Sequence, residues 1–158
     1  MTTAKEDYAY KALPNVVLTG VEVSRCTECG EWEVELPRLD ELTRAVVRAV
    51  CEKPERLSGP EVRFLRKAIG WTAENLAAHM KVAAETVSRW ETDRKRIGQQ
   101  ADLLLRVMAL TLQPVDGCQT LNTYIDMFPR LAGTSAAAGA PIRLSVAEWG
   151  GGQAELAC

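Results

Sequence analysis

The spacing of apolar positions divides the chain before any other property is considered. VVLTGVEV (Val16–Val23) is rich in β-branched residues and is broken by a Thr19-Gly20 turn signal. EWEVEL (Glu31–Leu36) alternates charged with apolar positions, as a half-buried strand does. Residues 8–36 therefore read as strands, and RCTECGE between the two runs makes the knuckle of a small β-hairpin. Pro37 closes that section. Leu39, Leu42, Val46, Ala49 and Val50 then follow helical spacing, which predicts a helix to about Cys51. EKPERLSGP, with two prolines and a glycine, is a linker candidate.

Four short helical segments follow. The first has Ser58 as N-cap with Glu61 at capping-box spacing, Pro60 in its first turn, and an inward stripe of Val62, Leu65 and Ile69 before Gly70. The second starts at Thr72 and turns Leu76, Ala77 and Met80 inward. The third covers Ala84 to Glu91, with Val87 and Trp90 inward. The fourth runs from about Gln99 to Leu112, with Leu103, Leu104, Val107 and Leu110 predicted inward. After Gln113-Pro114, the residues Leu121, Tyr124, Ile125 and Phe128 fall at i, i+3, i+4 and i+7, a further candidate helix closed by Pro129. From Ala132 the chain thins to Ala, Gly and Ser, which reads as a low-complexity tail in which PIRLSVAEW (Pro141–Trp149) could form an isolated strand. The expected division is 1–52, 53–131 and 132–158.

Composition excludes some classes. Among 158 residues, 47% are hydrophobic and 25% charged, which is globular rather than disordered. No run of about 18 apolar residues predicts a membrane span. The polar opening MTTAKEDYAY lacks the apolar core of a signal peptide. Five scattered cysteines, an odd number, make no disulfide framework and fit a reducing compartment, so a cytoplasmic location is expected.

The net charge of −2 conceals an asymmetry. Residues 1–52 carry 6 basic and 10 acidic side chains, residues 53–111 carry 11 and 7, and residues 112–158 carry 2 and 4. Any nucleic-acid contact is expected in the basic middle.

That middle holds two short helices separated by a few residues, which is helix-turn-helix spacing. On the second of them Val87 and Trp90 share the face that locks it down, while Glu85 and Arg89 lie on another. Arg89 has the donors for a bidentate contact to guanine O6 and N7, worth about 1–3 kcal/mol of discrimination. Glu85 has two readings: acceptor from cytosine N4, or an i, i+4 partner that holds Arg89, the second being favoured because a carboxylate near phosphate is repelled. Ala84 offers a methyl contact, and Thr86 and Ser88 lie on the helix flank, Ser88 equally as a packing residue. Arg94, Lys95 and Arg96 reach phosphates, each neutralised phosphate adding about 0.9 to the salt slope. Thr72 and Lys81 are further backbone-contact candidates, with helix capping the favoured role for Thr72.

FLRKAIGWTAENLAAHMKVAAETVSRWE, followed by a leucine-bearing helix, resembles the helix-turn-helix domain of Cro/C1-type (XRE) repressors over about fifty residues. The Leu76-Ala77 pair and the ending Ser88-Arg89-Trp90-Glu91 carry the resemblance. It implies double-stranded DNA as partner and a homodimer on a palindromic operator, two copies about 34 Å apart. The stripe Leu121, Tyr124, Ile125 and Phe128 is the candidate dimer seam, or equally an intramolecular packing face. Ala73 stands where the family often has Gln, Lys81 where it has Gly, and Ala83 where it caps the third helix with Ser or Thr.

YAYKALPNVVLTGVEVSRCTECGEWEVELPRLDEL resembles the N-terminal region of MqsA-type antitoxins, also described as YgiT-type zinc fingers. The Tyr-x-Tyr strand, the Val-rich strand, the C-x-x-C-G-E knuckle and the Leu-Pro exit carry it. The resemblance implies zinc as cofactor, a toxin as partner of this region, and repression of the operon by the helix-turn-helix. The family's first CxxC is missing here. Cys26 and Cys29 supply two of the four ligands that structural zinc takes. Three readings stand open: a relict knuckle without metal, a four-thiolate site across a dimer, and a redox dithiol. The lone His79 reads as a packed or solvated side chain, and Cys51 as buried packing.

The expectation is therefore an α+β chain: a small N-terminal β-hairpin of degenerate zinc-ribbon type, then an all-α XRE-type domain of about five helices. Its expected function is a dimeric transcriptional repressor acting as an antitoxin. The alternatives are a stand-alone regulator with no toxin and, more distantly, a CxxC thiol redox protein. No catalytic residues are expected, since no nucleophile–His–acid set and no phosphate-binding glycine loop is present.

Overall fold

The computed structural model describes residues 2–112 and 139–150. It is mixed α+β, a small N-terminal sheet followed by several helices. Its described residues fall into two compact units, one of 2–46 with 140–150, the other of 47–112 with Gly139.

The first unit is a four-stranded sheet. β1 (Thr2–Ala9) and β3 (Trp32–Glu35) both pair antiparallel with β2 (Val16–Arg25), and β4 (Ile142–Ser145) pairs parallel with Val16–Thr19 of β2. The predicted hairpin of β2 and β3 is present. The turn expected at Thr19-Gly20 is not: β2 runs straight through it. Glu6 pairs with Val21 and Tyr8 with Leu18, so β2 carries an extra residue there, a β-bulge, with Gly20 at φ +75°. The bulge explains a change of phase in the apolar pattern. Val16 and Leu18 are buried before it, Val21 and Val23 after it. Without an inserted residue, one of these pairs would face water.

One strand escaped the sequence reading, and another was read only in part. β1 is almost wholly exposed and has no apolar alternation; its ladder to β2 holds it, with the Thr3 and Ser24 hydroxyls 3.1 Å apart and Arg25 paired to Glu6. The isolated strand expected within Pro141–Trp149 is present only over Ile142–Ser145, as β4, and it is paired rather than isolated; the chain then turns into α6 (Val146–Gly150), which packs on β2 and β4 and buries Trp149. Ile142 and Leu144 alternate with polar residues, and pairing with β2 fixes where the strand ends. Leu13, Val16, Leu18, Val21, Val23, Leu42, Val46, Leu144 and Trp149 form the buried set of this unit.

The division between units falls within α1 (Leu39–Glu52), between Val46 and Val47, rather than in the expected linker. The reason lies in that linker. Arg106, 1% exposed, donates from Nη1 to the carbonyls of Cys51 (2.9 Å) and Lys53 (2.7 Å), and from Nη2 to that of Glu55 (2.5 Å). Its Nε donates to Asp102 (2.9 Å), which also accepts the Leu57 N–H (2.7 Å). EKPERL is thus tied down as part of the helical unit.

That unit continues with α2 (Gly59–Ala68), α3 (Ala73–Met80), α4 (Ala84–Glu91) and α5 (Gln99–Leu112). The capping contact at α2 is present: the Ser58 N–H donates to Glu61 (2.7 Å). Glu61 does more, being fully buried and 2.6 Å from Lys53 Nζ. The face of α5 needs correction. Asp102, Leu105, Arg106 and Ala109 are buried, while Leu104, expected inward, is 44% exposed, and Leu103, Val107 and Leu110 are half-buried. Two charged residues displaced leucines because each has its charge and hydrogen bonds satisfied inside. The stripe Leu121, Tyr124, Ile125 and Phe128 lies outside the described residues.

Candidate nucleic-acid interface

The helix-turn-helix is set up locally. Thr72 caps α3, its hydroxyl accepting from the Asn75 N–H at 3.1 Å. Lys81 ends α3 in the left-handed region, φ +56°, a conformation that favours glycine, while the Val82 N–H returns to the Ala77 carbonyl at 3.0 Å. Ala83 stands at the N-cap of α4 with an extended backbone and no side-chain hydrogen bond, so one orphan amide lacks the usual hydroxyl.

The inner face of α4 buries Val87 and Trp90; the Trp90 indole N–H finds no partner among the described residues. A buried ion pair then fixes the helix. Glu91, at its last turn, meets Arg66 of α2 at 2.5 Å and 3.2 Å, and Arg66 also donates to the Trp71 carbonyl at 2.7 Å. This bidentate geometry sets both position and rotation of α4. Just beyond it Asp93, at φ +55°, accepts the Gly59 N–H at 2.7 Å. A Cβ at Gly59 would lie 2.7 Å from the carbonyl oxygens of Trp90 and Glu91, so only glycine lets α2 start so close to the end of α4.

The outer face is polar. Glu85, Ser88 and Arg89 are exposed, and Ala84 and Thr86 are half-buried. The Lys95 N–H donates to the Arg89 carbonyl at 3.0 Å and Ile97 is buried, so the segment carrying Arg94, Lys95 and Arg96 folds back beside the helix with all three exposed. Lys81 and Thr72 are exposed as well. The residues singled out for DNA contact thus lie along one short motif, with Glu85 as the only carboxylate among them. The favoured pairing of Glu85 with Arg89 is not formed: among the described residues neither has an ion pair.

Arg66, Gly59 and Asp93 were missed in the sequence as parts of this site. A glycine before the Pro60 helix start was a legible signal; the partners of Arg66 and Asp93, distant in the chain, were not.

His79 stacks on Trp71 (4.1 Å between centroids, 22° between planes), and its Nδ1 lies 2.8 Å from the Asn75 carbonyl. It is a packed surface histidine, as expected. Cys51 is fully buried beside the Arg106 carbonyl, and burial pushes its thiol up to about 12. Cys26 and Cys29 sit in a tight turn, with the Cys26 N–H donating to the Glu31 carbonyl (2.8 Å), the Gly30 N–H to the Cys26 carbonyl (3.2 Å), and Gly30 at φ +74°. Hydrogen bonds from the backbone at Cys29 and Glu28 hold the Cys26 thiol below its usual range. Two thiols fill half a tetrahedral zinc set, and among the described residues no group of three or more His, Cys, Asp or Glu joins to complete one.

Among the described residues no helix is long and apolar enough to cross a membrane. No family model, curated protein or solved structure matches the chain.

Proposed function

We propose that the chain is a sequence-specific, double-stranded-DNA-binding transcriptional repressor in which α4 enters the major groove and Arg89 reads a guanine. What carries the reading is the division of α4: Val87 and Trp90 are buried, Glu91 is locked to Arg66, and Arg89 stands exposed on the other side. A buttressed helix holds a reading side chain in register with bases. Arg94, Lys95 and Arg96 supply phosphate contacts that position without specifying.

Footprinting and fluorescence anisotropy on the gene's own promoter test it. Arg89→Ala is expected to weaken specific binding by about 5- to 150-fold, the equivalent of about 1–3 kcal/mol, and to leave nonspecific binding nearly unchanged. Equal specific affinity in the variant rejects the assignment. Recognition of a palindrome requires a homodimer, which ultracentrifugation measures directly.

An antitoxin role extends this reading to a toxin held by the acidic sheet unit. Co-expression with a toxic reading frame beside the gene decides between that role and a stand-alone regulator.

A further inference from the structure

β3 is an outer strand. It pairs with β2 along one edge, and among the described residues no strand pairs with the other. Its two faces differ sharply. Val34 stands opposite Val23 and Trp32 opposite Arg25, so both project on the side of the buried valines of β2. There Trp32, 55% exposed, meets Tyr8 edge-on at 6.3 Å and has Lys11 Nζ 5.9 Å from its ring centroid. With Glu6, Val23 and Arg25 these side chains wall a cleft of about 390 Å³. Arg25 and Glu6 already satisfy each other.

The other face carries Glu33, opposite Ser24, and Glu35, opposite Glu22. Like charges directly across a ladder are unfavourable. Lys5 stands across β2 from Glu35, opposite Glu22, and among the described residues forms no ion pair with any of the three carboxylates.

We propose that the open edge of β3 accepts an extended segment of a cationic protein in which lysine or arginine alternates with apolar residues. Strand addition fills the unpaired backbone groups of the edge, and the period of two sends alternate side chains of the guest to opposite faces. The apolar ones meet Val34 and enter the cleft beside Trp32 and Tyr8. The cations meet Glu33 and Glu35 and relieve the repulsion with Glu22. Charge selects this occupant: a nucleic acid is repelled here, and a second β3 would set its glutamates against these. Charged side chains on an edge strand also act to prevent pairing, and the experiment separates the two roles. The proposal deepens the reading that the sheet unit holds a protein partner, by naming the edge and the chemistry; DNA binding uses α4, and the toxin is tested by co-expression, so each can fail alone.

The test uses the full chain and three ten-residue peptides: lysine alternating with valine, the same composition in two blocks, and glutamate alternating with valine. Calorimetry and tryptophan fluorescence follow each titration at about 0.15 M salt. The alternating lysine peptide is expected to bind at least about ten-fold tighter than the blocked one, and the glutamate peptide not at all. Glu33→Lys with Glu35→Lys is expected to abolish that preference, and Trp32→Ala to weaken binding about five-fold or more, with thermal melting and DNA affinity at the level of the parent chain. Equal affinity for alternating and blocked peptides, no binding of either, or unchanged affinity in the charge-reversed chain overturns the proposal.

Discussion

Among the described residues the sheet unit keeps its ion pairs at the surface, whereas the helical unit, beside the exposed pair Arg48–Glu52, buries three of its own. In the sheet unit the ion pairs Arg25–Glu6, Arg38–Glu41 and Arg143–Asp7 are exposed, and the buried side chains are apolar. In the helical unit Glu61, Arg66, Asp102 and Arg106 are buried, each with an ionic partner. A strand ladder fixes geometry through the backbone, so the sheet needs only an apolar face. Short helices have no such ladder between them. Their relative placement, and that of the Cys51–Leu57 connection, is set by guanidinium groups whose donors are matched to carboxylates and carbonyls. Such a network is stable only when complete, because a charge left without its partner in a buried place is costly.

The sharpest test of this contrast uses thiols. Burial raises the Cys51 thiol to about 12, so it stays protonated at pH 8. Cys26, held below its usual range, should alkylate first, and Cys51 only on unfolding, as peptide mapping of iodoacetamide adducts will read. The sign for stability follows. A raised thiol keeps its proton in the fold, so its contribution is intact below the unfolded value near 9 and is lost as pH rises toward about 12.

Arg106→Ala comes next. It strands Asp102 and frees three carbonyls, and is expected to cost about 3–5 kcal/mol in urea denaturation. A variant as stable as the parent would show that the connection is held by other means. Ala83→Ser should work in the opposite direction, supplying the missing cap of α4 and adding about 1 kcal/mol. At the bottom of the scale, Arg143→Ala removes an exposed pair of the sheet unit and should leave the denaturation midpoint where it is. A large loss there would break the contrast between the units.

Much of the helical unit was legible because its signals are local. Ser58 and Glu61, Gly70, Thr72, and the Val87–Trp90 spacing mark helix ends and faces within a few residues of where they act. The surface of α4 followed from the same spacing, and Arg89 is exposed as that pattern requires. The reading failed where a residue's role depends on a distant partner. On α5, hydrophobicity placed Leu104 inside and said nothing of Asp102 and Arg106. In the sheet, TTAKEDYA carries no periodicity, and the Thr19-Gly20 signal is shared by turns and bulges.

The sequence by itself determined where α2, α3 and α4 start and stop, which side of α4 is inward, and that a β2–β3 hairpin surrounds Cys26 and Cys29. Those outcomes rest on backbone capping and on side-chain period, which act over one or two turns. Only the tertiary structure decided that Ile142–Ser145 joins β2, that Arg106 sits inside binding three carbonyls, and that Glu91 meets Arg66. Each of these needs two segments far apart in the chain to supply matched donors and acceptors at one point in space, and no single segment carries that information.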